Sequence, residues 1–190
     1  MRMNTSLKEV LEKYYCLKGI CENARKRASD NPTSPFVTAI SLPVSDKKVK
    51  DKREHIIRYF NKIRDSVTDY CFLDMVAVFE RIIFSKVDNA SGEIRRVVKD
   101  GYSKPVFHMS AASFVKDKEE IYNLSGVKKL LEGKISQELS DNLSEIFEHR
   151  NFLAHGRRGI GKQSALTMDE VHDILQETLN VVTNRRVTRL

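Results

Sequence analysis

Between Ser45 and Val87 the chain runs without a glycine or a proline, and this uninterrupted stretch constrains the fold more than any other feature. Val49, Ile56, Phe60, Ile63 and Val67 recur at helical spacing with polar residues opposite, the pattern of a helix that buries one side. From Cys71 to Phe84 the apolar residues spread nearly all round the helix, which predicts a central position in a bundle. One long helix and two helices joined at a kink both fit. Asp74, Glu80 and Arg81 fall inside this apolar half, where a buried ion pair or a polar edge is the ordinary reason for charge.

The flanking segments read as further helices. Ser6 and Glu9 form a capping box, and Leu7, Val10, Leu11, Tyr14, Tyr15, Cys21 and Ala28 then follow mostly one stripe until Asp30-Asn31-Pro32 stops it. A linker containing Pro32, Pro35 and Pro43 follows, with Phe36 to Leu42 expected as a short extended segment. Asn89 to Gly92 reads as a turn, and residues 93–124 as short helical pieces with a loop around Gly101 to Pro105. A short helix is expected from Ser125 to Glu132, a longer one over residues 135–155, and a last one from Thr167, where Thr167 and Glu170 repeat the capping box. Val171, Ile174, Leu175, Leu179 and Val182 share one face of that last helix, and residues 184–190 form a basic tail. The expected fold is all-α: a single domain over residues 1–190, built as an antiparallel bundle of about four or five main helices. Extra short helices or loops lie between the second and third main helices.

Charge narrows the function classes. The formal net charge of +7 and a pI of about 9.3 suit a polyanionic partner such as nucleic acid. Cys16, Cys21 and Cys71 are odd in number and lack a Cys-x-x-Cys spacing, so neither a disulfide framework nor a zinc site is expected. His55, His108, His149 and His172 form no pair at metal-ligand spacing; no metal and no cofactor is expected. Met1-Arg2-Met3-Asn4 leads into an amphipathic pattern rather than a signal sequence, and no apolar run approaches a membrane span. A cytoplasmic protein without membrane association is the expectation.

The chemistry concentrates in the helix over residues 135–155. Ile135, Leu139, Leu143, Ile146, Leu153 and Ala154 fall on one stripe, and Arg150 projects from near its centre. A guanidinium stays charged and has five donors to satisfy. It must therefore face a carboxylate inside the bundle, a partner subunit or a bound phosphate. Asn151 and His155 share a neighbouring face. Arginine braces a phosphate with two prongs, and histidine moves protons near neutrality. Gly156 then ends the helix. Arg157, Arg158 and Lys162 follow in a basic loop suited to a nucleic-acid backbone, and Arg185 and Arg186 in the tail are further RNA-binding candidates. A purely structural reading stands beside this one, with His155 as a helix-end residue beside the negative end of the dipole.

The run Glu148-His149-Arg150-Asn151-Phe152-Leu153-Ala154-His155-Gly156 resembles the signature of HEPN domains, in which Arg and His stand a few residues apart. The context is similar too: an amphipathic helix before the motif, a basic turn after it, and a closing helix beginning Thr-x-x-Glu. The similarity is clearest over residues 125–182. The resemblance implies a helical bundle that dimerises and brings two motifs together as a composite site. It also implies a metal-independent endoribonuclease, in which a ribose 2′-hydroxyl attacks the adjacent phosphate and leaves 2′,3′-cyclic phosphate and 5′-hydroxyl ends. In that chemistry His155 moves the proton, Arg150 stabilises the transition state and Asn151 orients the phosphate or His155. The setting implied is toxin–antitoxin or antiviral defence, with a cognate antitoxin or other defence protein as partner. Other members of the family bind RNA or a protein partner without cutting, which is the alternative reading.

One motif points elsewhere. Gly156 to Lys162 has the spacing of a phosphate-binding Gly-x-x-x-x-Gly-Lys loop. It follows a helix instead of a strand, and Gln163 stands where a magnesium-binding hydroxyl belongs. An NTPase is not expected.

Overall fold

A computed structural model describes residues 6–40, 49–101, 124–156 and 163–183. Six helices are described: α1 (Leu7–Asp30), α2 (Pro35–Ala39), α3 (Val49–Gly101), α4 (Leu124–Leu131), α5 (Gln137–Ala154) and α6 (Met168–Thr183). Among the described residues there is no strand. The chain divides into two compact units, residues 1–75 and 76–190, and the division falls within α3.

In the first unit the α1 capping box is present in full. Ser6 Oγ accepts from the Glu9 amide at 3.2 Å, and Glu9 Oε2 accepts from the Ser6 amide at 2.7 Å. Leu7, Val10, Tyr14 and Ala28 are its buried residues. Ala28 joins Val37, Ile56 and Phe60 in one apolar cluster, with Ala24, Phe36, Ile40 and Ile63 packed around it. At the other end of α1, Lys13 Nζ bonds Asp74 at 3.0 Å. Ala28 near Ile56 and Lys13 near Asp74 set α1 antiparallel to this part of α3. Of the cysteines, Cys71 is buried, Cys21 half-buried and Cys16 exposed.

Two expectations are corrected in the connecting segments. Within Phe36 to Leu42, expected as extended, residues 36–39 belong to the short helix α2. Pro35 starts that helix, where its missing N–H costs nothing. With no strand to pair with among the described residues, the backbone satisfies itself locally while Phe36 and Val37 reach the core. The expected turn at Asn89 to Gly92 is also absent, because α3 continues through it to Gly101. A helical glycine costs about 1 kcal/mol, less than stopping and renucleating a helix with good formers on both sides. The stretch from Ser45 is thus, from Val49 onward, one helix. The remainder of the expected loop after Gly101 lies outside the described residues.

The second unit holds the rest of α3 with α4, α5 and α6. Val76, Val78, Phe79 and Ile83 of α3 are buried, as are Val127 and Leu131 of α4. So are Leu139, Leu143, Ile146 and Phe147 of α5, with Phe147 6.3 Å from Phe79 between ring centroids. Helix α5 packs against α6, whose buried residues are Met168, Val171, Leu175, Thr178 and Leu179. The second capping box is formed: the Glu170 amide donates to Thr167 Oγ1 at 3.3 Å, and Glu170 Oε2 accepts from the Thr167 amide at 2.7 Å. The Thr167 amide and hydroxyl, both donating to Glu170 Oε2, hold that carboxyl below its ordinary value.

Candidate functional site

Helix α5 positions the candidate residues. Ser136 caps its start, accepting from the Leu139 amide at 3.2 Å. His155 is the C-cap, with its amide on the Asn151 carbonyl at 3.0 Å. Gly156 follows at φ +66, and its amide bonds the Leu153 carbonyl at 3.0 Å. This left-handed turn is the geometry glycine adopts without strain. The helix therefore stops within one residue of His155 and leaves that side chain exposed at its tip.

Arg150 continues the row of Leu143, Ile146 and Phe147, yet its side chain keeps 36% of its exposure. Its Nη2 lies 3.7 Å from Glu80 Oε1 of α3, and its Nη1 donates to Asn151 Oδ1 at 3.2 Å. The charge among apolar neighbours has thus found a carboxylate within its own unit. The separation exceeds hydrogen-bonding length, so the pair is an ion pair rather than a two-pronged lock. Burial pushes the Glu80 carboxyl up, and Arg150 offsets this only in part.

Successive side chains turn by about 100° along a helix, so Arg150 and His155 leave α5 about 140° apart. Asn151 stands between them in angle. The last turn of α5 therefore presents an arc of guanidinium, carboxamide and imidazole, with no hydrogen bond between Arg150 and His155. His149 is half-buried with its ring stacked on Phe152 at 6.2 Å. Glu145 Oε1 accepts from Ser164 Oγ at 2.6 Å and from the Ala165 amide at 3.2 Å, fastening the segment before α6 onto α5.

The candidate RNA contacts Arg157, Arg158, Lys162, Arg185 and Arg186 lie outside the described residues. Of the charges inside the apolar half of α3, Asp74 pairs with Lys13, Glu80 faces Arg150, and Arg81 is exposed. Among the described residues, no three His, Cys, Asp or Glu side chains gather into a metal-ligating group. None of the described helices is long and apolar enough to cross a membrane. Glu145 and the pairing of Glu80 with Arg150 carry no motif, since their partners are remote in sequence.

A helix-end cluster of guanidinium, carboxamide and exposed imidazole on an all-helical frame has the chemistry to hold a phosphate and move a proton beside it. No family model matches the chain, and neither a curated protein nor a solved structure does.

Proposed function

We propose that the chain is an endoribonuclease of HEPN type, acting as a homodimer in a toxin–antitoxin or antiviral-defence setting. The observation that carries this reading is the arc of Arg150, Asn151 and His155 on the last turn of α5. RNA supplies its own nucleophile, so the protein needs only acid–base and electrostatic groups, without a metal. His155 takes the proton of the attacking 2′-hydroxyl or delivers one to the departing 5′-oxygen. Arg150 neutralises the charge that builds on the phosphorane, and Asn151 steadies the guanidinium through its Oδ1. The divergence of Arg150 and His155 favours a composite site, in which one subunit supplies the arginine and its partner the histidine.

The test is cleavage of end-labelled RNA by the purified protein in EDTA. Cyclic-phosphate ends are expected, with rates falling about a hundredfold or more in His155→Ala and Arg150→Ala. Absence of cutting by the parent chain would refute the proposal. A second reading, a HEPN module that binds RNA or a protein partner without cutting, draws on the Glu80–Arg150 pair. A carboxylate 3.7 Å from the guanidinium competes with phosphate for it. RNA binding that survives both substitutions, without cleavage by the parent, would select that reading.

A further inference from the structure

Within the first unit, Tyr59, Lys62, Ile63, Ser66, Val67 and Tyr70 line an open cavity of about 330 Å³. Their spacing places all six on one face of α3. Tyr59 and Tyr70 are 40% and 56% exposed, and both rings are braced. Phe60 meets Tyr59 edge-on with centroids 6.1 Å apart. Lys13 lies 4.6 Å from the Tyr70 centroid and donates to its hydroxyl at 3.4 Å, while Asp74 anchors the same ammonium. Lys62 is exposed, and Lys52 lies two turns before Tyr59 on the same face. Of the six residues that line the cavity, Lys62 is basic and none is acidic.

We propose that this face is a platform for single-stranded RNA, with bases stacked on Tyr59 and Tyr70 and the phosphate backbone following Lys52 and Lys62. The assignment rests on RNA being the ligand of the chain, as in the proposed function, and adds a binding surface distant in sequence from Arg150 and His155. Braced aromatic rings take a base with little loss of freedom, and every base has a face to stack. The rings stand about 16 Å apart along the helix, the length of about five stacked bases. A second protein helix is the poorer occupant: it would bury two phenol hydroxyls and the Lys62 ammonium in its seam. The net charge of +7 favours a polyanion.

The experiment uses the full chain carrying His155→Ala, so that RNA stays intact, and a fluorescein-labelled single-stranded oligoribonucleotide read by anisotropy. On this background Tyr59→Ala with Tyr70→Ala should weaken binding about tenfold or more. Tyr59→Phe with Tyr70→Phe should keep it, because stacking needs the ring and not the hydroxyl. Lys62→Glu, an exposed single change, should also weaken binding and flatten its salt dependence. Parental affinity in the Tyr→Ala pair or in Lys62→Glu overturns the platform, as does equal loss in the Ala and Phe pairs. So does a change of oligomeric state in the Ala pair at unchanged RNA affinity, which assigns the face to a second copy. Cleavage by the parent chain is scored separately. Cutting with no tyrosine dependence defeats the platform alone, and tyrosine-dependent binding without cutting defeats the nuclease alone.

Discussion

Glu80 Oε1 of α3 lies 3.7 Å from Arg150 Nη2 of α5, and the carboxylate is the more enclosed partner, its side chain 19% exposed against 36% for the guanidinium. The asymmetry matters for function. A long arginine at the surface can swing towards an incoming phosphate, whereas the shorter, half-buried carboxylate cannot follow it. The charge with less access to water is the acid, and an enclosed charge depends more on its partner than an exposed one does.

Glu80→Gln should therefore change the pH dependence of stability. Burial raises the Glu80 carboxyl above its ordinary value of 4.5, so the native state binds that proton more tightly than the unfolded chain. From that value upward to the raised one, the residue's contribution falls as pH rises. The glutamine variant lacks this loss. Its urea midpoint relative to the parent should climb between acid and neutral pH, and a pH-independent offset would contradict the burial argument.

A composite site makes a quantitative forecast for mixed subunits. Arg150→Ala and His155→Ala homodimers should each be inactive. Equal mixing after subunit exchange should restore about a quarter of parental RNA cleavage, because half the dimers then hold one intact site out of two. A site assembled within one chain predicts no recovery.

The Glu145 clasp should govern the order of the segment before α6. Its bonds to Ser164 and Ala165 are charge-assisted, a class worth about 1.5–3 kcal/mol each. Glu145→Ala should speed hydrogen exchange at the Ala165 amide about tenfold or more, with Ser164→Ala giving a smaller effect. Unchanged exchange would show that the segment is held by other means.

Gly156 and Gly92 should respond to alanine in opposite directions. Both have open space where a Cβ would sit, but only Gly156 is at positive φ. Gly156→Ala should cost about 1–2 kcal/mol from backbone strain alone, lowering Tm by roughly 2–8 °C. Gly92→Ala should add about 0.5–1 kcal/mol of helix stability, measurable in the same thermal scan.

Much of the candidate site was legible because its shape is local. Arg150, Asn151 and His155 sit within two turns of one helix, and Gly156 announces where that helix stops. The connecting segments are less legible for the same reason. The Asn89 to Gly92 signals describe a preference of a few residues, and a helix already under way overrides them. Phe36 to Leu42 offered β-compatible residues, but a strand exists only with a neighbour to bond.

Capped helix ends belong to the sequence alone, since a cap is settled by residues within about four positions: Ser6 with Glu9, Thr167 with Glu170, and Gly156 behind His155. The partner of a charge belongs to the tertiary structure. Lys13 meets Asp74, Glu80 meets Arg150 and Glu145 meets Ser164 across wide gaps in sequence. Each of these residues had many opposite or polar candidates along the chain. Only the packing of apolar faces brings one of them close enough to outweigh water.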